Sequence, residues 1–243
     1  MPDLLFFIAW FLAGFVNGVS GMGAAMVAVP IIITLIPVHD VVPVSCLIVT
    51  AVSGHMAWNF RKGCRFQSLK NMFLGSVPGS LAGLTILLCI QASVLQLLTG
   101  TIMILFVLWQ CIKKENTIRN PETLPKSVFA GFLSGVLNTS ISFGNPPIGA
   151  YALHLGWNQE ETVGTMNIFS FGAFIIACAF HAFAGLYTKE VLTLAAWGIP
   201  ASMFGILCSL PVARRINALT FKRILLTVIA CAGANCIARA LSI

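Results

Sequence analysis

Charge is what this chain has least of. Only 9% of its 243 residues are charged, and just seven are acidic: Asp3, Asp40, Glu115, Glu122, Glu160, Glu161 and Glu190. All seven fall in loops or at the ends of apolar segments, so no carboxylate is placed at mid-membrane, where cation- and proton-coupled carriers commonly need one. A soluble domain carries about 25% charge, which excludes that class. The formal charge of +7 does not point to nucleic acid, because no polar stretch is long enough to fold into a basic face. The eight cysteines form no CxxC and no zinc spacing. Most lie within apolar stretches (Cys46, Cys89, Cys178, Cys208, Cys231, Cys236), as suits small buried hydrophobes. No HExxH, GxSxG or P-loop occurs, so neither an enzyme nor a cofactor is expected. At the N-terminus Asp3 stands where a signal peptide would carry Lys or Arg, and the first apolar stretch runs on without a cleavage site. It is expected to be a membrane segment.

What is present is apolar length. Residues 4–36, 41–60, 69–90 and 94–112 form four such stretches, and residues 127–155, 163–183, 191–212 and 224–241 form four more. Six match one membrane helix of about 20 residues. The first of each set is too long. As straight helices they would run about 50 Å and about 44 Å against a hydrocarbon core of about 30 Å. Both carry helix breakers: AGFVNGVSGMGAAMVAVP at Ala13–Pro30 and AGFLSGVLNTSISFGNPP at Ala130–Pro147. Interrupted apolar segments at matching positions of two halves point to a transporter's binding site.

The halves repeat. GSVPGSLAG at Gly75–Gly83 aligns with WGIPASMFG at Trp197–Gly205, and the same offset sets Ser45 over Asn167 and Arg65 over Tyr187. Gly14 aligns with Gly131 and Gly18 with Gly135, which requires a few extra residues in the second break. The loop Arg61–Lys70 holds four basic residues and its counterpart only Lys189. The loop Cys89–Gln96 holds none, and its counterpart holds Arg214, Arg215, Lys222 and Arg223. Equivalent loops of opposite Lys/Arg bias face opposite sides of a membrane. The expected architecture is therefore all-α and polytopic, with two inverted repeats, each a short broken-helix hairpin plus three transmembrane helices. Residues 1–112 form the first repeat, 113–126 a cytoplasmic linker and 127–243 the second repeat. That arrangement puts 12 of the 14 Lys and Arg on the linker face.

On these residues (GFVNGVSGMGAAMVAVP, GFLSGVLNTSISFGNPPIGA and the paired GSVPGSLAG and WGIPASMFG) the chain resembles the sulfite exporter TauE/SafE family of membrane permeases over nearly its whole length. Members look like G-x-x-G-x-x-G-x-G-G-P in the breaks. This chain has Gly23-Ala24-Ala25 in the first and Gly144-Asn145-Pro146 in the second. The resemblance implies a multi-pass carrier of the inner (plasma) membrane whose partners are a small anionic substrate and the lipid bilayer. The substrate class it implies is sulfur-containing: sulfite, sulfonate or sulfoacetate. Two other classes remain: a membrane thiol or electron carrier using the cysteines, and a non-transporting scaffold.

The candidate substrate-binding residues are Ser20, Gly21, Gly23, Ala24, Ser45, Asn138, Ser142, Gly144, Asn145 and Asn167. Half-helices starting near Ala24 and Pro147 would turn their N-terminal N–H groups toward the centre, where such termini hold anions without formal charge. Asn17, Ser20, Asn138, Thr139, Ser140, Ser142 and Asn145 add hydroxyl and amide donors. Gly14 and Gly131 read as close-packing positions. Asn167 is the second-helix residue expected to serve the site, because an amide at membrane depth needs several partners. His181 lies near a segment end and is expected at the interface, as are the tryptophans. With no mid-membrane acid, anion export is expected to follow the membrane potential.

Overall fold

The computed structural model describes residues 4–21, 23–33, 35–112, 119–213 and 218–241. Of the features read above, linker residues 113–118 and Arg214 and Arg215 lie outside the described residues. Both overlong segments break where glycine, serine and proline gather. The first becomes α1 (Leu4–Ser20) and α2 (Ala24–Ile32), and the second α6 (Leu124–Ile141) and α7 (Asn145–His154). At about 14 and 15 Å, neither α2 nor α7 can cross a bilayer.

Three helices follow each hairpin: α3 (Val38–Phe60), α4 (Phe66–Cys89) and α5 (Ala92–Ile112) in the first half, α8 (Gln159–Phe183), α9 (Lys189–Ala213) and α10 (Ala218–Leu241) in the second. Five of the described helices are long and apolar enough to span a membrane: α3 with the 3₁₀ turn Arg61–Gly63, α4, α5, α8, and α9 over Lys189–Ser209. The described residues are otherwise turns and loops, with no strand. Large apolar side chains such as Leu74, Leu81 and Phe204 stand exposed on the outer helices, as expected of surfaces facing lipid. The protein is an all-α, multi-pass membrane protein.

The halves exchange their first helices. α1 lies along α9 and α6 along α4, each pair parallel. Small residues permit the approach: α4 lays Gly75, Gly79 and Gly83 along the carbonyls of Val128, Phe132 and Val136. α3 and α8 run antiparallel through the centre, with Gly63 on Glu160 at one end and Gly54 on the Phe171 ring further in. α5 and α10 cross antiparallel at Gly100 and Gly233.

These contacts correct the repeat alignment. Gly14 meets Ser202, whereas Gly131 meets Met72 and Gly135 lies against Ser76 and the matching Ser80. The positive-φ residues Gly21 and Ser142 correspond in the same way. Read from these turns, an offset of 121 sets Gly21 over Ser142 and Asn17 over Asn138. Trp10 is also corrected. It is wholly buried against α9, whereas Trp58 and Trp197 are exposed as interfacial rings should be.

Candidate functional site

The first break turns through two left-handed glycines, Gly21 at φ 76° and Gly23 at φ 101°. The second does so through Ser142 at φ 59°, an unfavoured conformation for a residue with a Cβ. Ser142 is fixed there by its N–H to the Asn138 carbonyl (3.0 Å) and its Oγ to the Val42 carbonyl of α3 (3.1 Å). The two breaks meet. Gly23, Ala24, Ala25 and Met26 from one side and Ser142, Phe143, Gly144 and Asn145 from the other line a single cavity. Asn17 of α1, Val49 and Ser53 of α3, and Asn167 and Phe174 of α8 complete it. Asn167 lies about 12 Å along α8 from its first residue, so the cavity is deep in the bundle. Its volume of ≈ 20 Å³ suits one water molecule. A space of this size admits nothing larger unless the walls part.

The polar groups divide by what they have left to offer. Asn17 is 4% exposed, and its Nδ2 has no hydrogen-bond partner among the described residues. Asn145 accepts from Ser170 Oγ at Oδ1 (2.8 Å), leaving its amide hydrogens as donors. Asn167 differs. Its Nδ2 donates to the Gly21 carbonyl (2.7 Å) and to the Val163 carbonyl one turn back (2.9 Å). Both amide hydrogens are spent, so Asn167 holds the first break in place. The backbone contributes unequally. No side chain caps α2, which leaves its first N–H groups open toward the cavity. α7 starts at Asn145, not Pro147, and Pro146 and Pro147 remove two of its early donors.

Gly23, Ala24, Ser142, Gly144, Asn145 and Asn167 thus come together as the sequence reading placed them. Four candidates do not line the cavity. Ser20 donates to the Val16 carbonyl of its own helix (2.8 Å). Gly21 packs against Val163 and presents its carbonyl to Asn167. Asn138 lies behind Gly144, where its amide occupies the space a Cβ would need. Ser45 is wholly buried and off the cavity, its Oγ without a partner among the described residues. The residue that meets the second break as Asn167 meets the first is Cys46, whose Sγ lies 3.4 Å from Ser142 Oγ. Cys46 and Asn167 keep the offset of 121, and the repeat alignment of α3 with α8 was one residue out. Asn17, named from the sequence as a possible donor, does line the cavity.

The two ends of the bundle differ in chemistry. At the linker end Glu161 pairs with Arg65 of the α3–α4 loop (2.9 Å) and with Arg119 (3.2 Å), while closing a capping box with Asn158. Beside it opens a mouth of ≈ 430 Å³ lined by Arg65, Arg119 and Glu122 among others. At the opposite end stands Tyr187, in the α8–α9 loop. Burial above all, and then the Cys178 thiol beside it, push its phenol above the ordinary range, so the hydroxyl keeps its proton. His181, expected at the interface, is instead wholly buried, with Nε2 3.0 Å from the Thr139 carbonyl of α6.

A model of the sulfite exporter TauE/SafE family matches residues 6–236. The chain belongs to the sulfite exporter TauE/SafE family. No curated protein and no solved structure matches the chain. Membership makes this TauE/SafE protein a membrane permease rather than an enzyme, and places a small anion and the lipid bilayer among its partners. In this permease the paired breaks enclose a cavity onto which the unspent amide of Asn17 faces.

Proposed function

We propose that this permease carries a small sulfur-containing oxyanion or sulfonate out of the cell across the plasma membrane, holding it in the cavity between the two breaks. The carrying observation is the Asn17 amide, buried without a partner on a cavity that the uncapped start of α2 also faces. Helix N-termini and neutral donors bind anions without a buried cation, and no basic residue lines this cavity. Cys46, which touches the second break, is paired with Ser142 and the Asn138 carbonyl, which favours an anion carrier over a thiol relay.

Residues 1–112 and 127–243 act in this reading as inverted repeats, with the linker 113–126 in the cytoplasm. Support comes from the antiparallel crossing of α3 with α8 and α5 with α10, the exchange of α1 and α6, and the basic residues gathered at the linker end. A monovalent anion leaving a cell held at about 100 mV negative gains about 2.3 kcal/mol, enough for roughly 50-fold accumulation outside. Purified protein in liposomes, screened for flux of sulfite, sulfate and methanesulfonate at set potentials, tests the reading. Flux of at least one of them, driven outward from the linker side by potential, is the expected result. Absence of flux for every anion overturns it in favour of a scaffold.

A further inference from the structure

Unpartnered buried polar atoms are rare in native proteins, and each calls for an explanation. Here four of them fall on neighbouring residues. Asn138 Oδ1 sits behind Gly144 at the cavity wall, and Thr139 Oγ1 is its chain neighbour. His181 Nδ1 follows, its ring joined to Thr139 through Nε2, and then the Tyr187 hydroxyl, with the two rings 6.4 Å apart, edge to face. Asn138, Thr139 and His181 are each at most 1% exposed, while Tyr187 is half-buried at the α8–α9 loop. These residues lie between Gly144, at the cavity wall, and the end of the bundle opposite the linker.

The chemistry of His181 is fixed by its one bond. A carbonyl oxygen only accepts, so Nε2 carries the hydrogen and the neutral ring presents a lone pair at Nδ1. That nitrogen can accept a proton and has no donor facing it among the described residues. The titratable groups around it are Tyr187 from the loop, Cys178 from its own helix and, beyond Cys178, Cys46 of α3. A proton arriving at Nδ1 turns this acceptor into a charged donor, which an anion can engage together with the Tyr187 and Thr139 hydroxyls.

We propose that His181, Thr139 and Tyr187 form a second, proton-dependent oxyanion subsite on the exit side of the cavity, where a sulfonate or sulfur oxyanion rests before release. The inference builds on the carrier reading given above. The proton comes from water at the Tyr187 end, adds to Nδ1 as the anion arrives, and returns to the same water as the anion leaves. No proton crosses the membrane, and transport keeps its response to potential.

The test uses methanesulfonate, whose own charge does not change across the range in which histidine titrates. In liposomes of known orientation, the wild-type KM should rise by up to tenfold per pH unit when pH is raised on the Tyr187 side, the limit for one linked proton. Raising pH on the linker side should leave it unchanged. His181→Gln can still donate to the Thr139 carbonyl but cannot titrate, so its KM should be weaker and flat with pH. A direct measurement spares the variant: adding methanesulfonate to unbuffered wild-type protein near pH 7 should take up to one proton per chain from solution. Proton uptake of zero, or the same pH response in His181→Gln as in wild type, overturns the subsite. Robust flux that ignores pH would remove this inference alone, whereas no flux from the wild type removes the carrier reading with it.

Discussion

The two breaks occupy equivalent places and are built from different materials. The first turns on Gly21 and Gly23, runs into Ala24-Ala25-Met26 with every N–H intact, and depends on α8 for support through Asn167. The second turns on a serine pinned by α6 and α3, then stiffens at Pro146 and Pro147, which cannot donate. Below them the paired asparagines differ likewise. Asn17 has an unspent amide on the cavity, and Asn138 is walled off by Gly144. In the carrier reading proposed above the labour is divided: the first break would offer donors to the anion, and the second would supply a rigid wall with one side-chain donor, Asn145. Each substitution below bears on that division.

The largest effect is expected at Gly23. A side chain there has space nearby, since its Cβ would meet only Met26 Sδ at 3.7 Å, but it would enter the cavity from a left-handed backbone position. Gly23→Val should abolish measurable flux and cost roughly 1–3 kcal/mol of stability, so that protein still accumulates in the membrane. Liposome flux alongside thermal unfolding of the purified variant reads both. Retained transport would mean the first break is a packing feature.

Next come the asparagines, because they separate the halves directly. Hydrogen bonds to charged groups contribute about 1.5–3 kcal/mol, so Asn17→Leu should raise KM by roughly 10- to 150-fold. Its amide nitrogen gives up no bond inside the protein, so stability should hardly change. Asn138→Leu should do the reverse, lowering stability through misfit behind Gly144 and shifting KM little. Equal KM effects from the two would erase the proposed asymmetry.

A smaller effect is expected at Gly144. Its φ is ordinary, and the obstacle is the Asn138 amide, a side chain that can shift. Gly144→Ala should destabilise by about 1–3 kcal/mol, the usual cost of overpacking. It should slow transport without abolishing it. Unfolding and flux measured on one preparation would show whether the second break tolerates what the first does not.

Much of this was legible in the sequence, and the misses share a cause. Glycine, serine and proline mark a break where the apolar segment is also too long for one span, so both hairpins and the cavity residues Gly23, Ala24, Ser142, Gly144, Asn145 and Asn167 could be read from one chain, whereas the same residue types leave α4 and α9 unbroken. What failed was register. Aligning on Gly14 and Gly131 gave weight to residues that serve helix contact, while the turns themselves, Gly21 and Ser142, set the true offset. One residue of error in α3 was enough to choose Ser45 over Cys46, because a step of one on a helix rotates the side chain about 100° to another face. His181 failed for a different reason. Position within a segment says nothing about what packs beside it, and the tip of α6, from the other arm of the same half, buries the ring.

The smallest expected effect tests that register. Ser45 Oγ is wholly buried, makes no hydrogen bond among the described residues and lies off the cavity. Removing a buried hydroxyl without a partner relieves a desolvation cost and leaves a space only one atom wide. Ser45→Ala should therefore be neutral or slightly stabilising, by up to about 1 kcal/mol, with KM and maximal flux unchanged. Cys46→Ala, one residue on, removes the thiol that touches Ser142 and Asn138 and should lower stability measurably more. The pair decides how α3 is set against the second break. A KM change in Ser45→Ala with none in Cys46→Ala would turn the helix by one residue and restore Ser45, not Cys46, as the counterpart of Asn167.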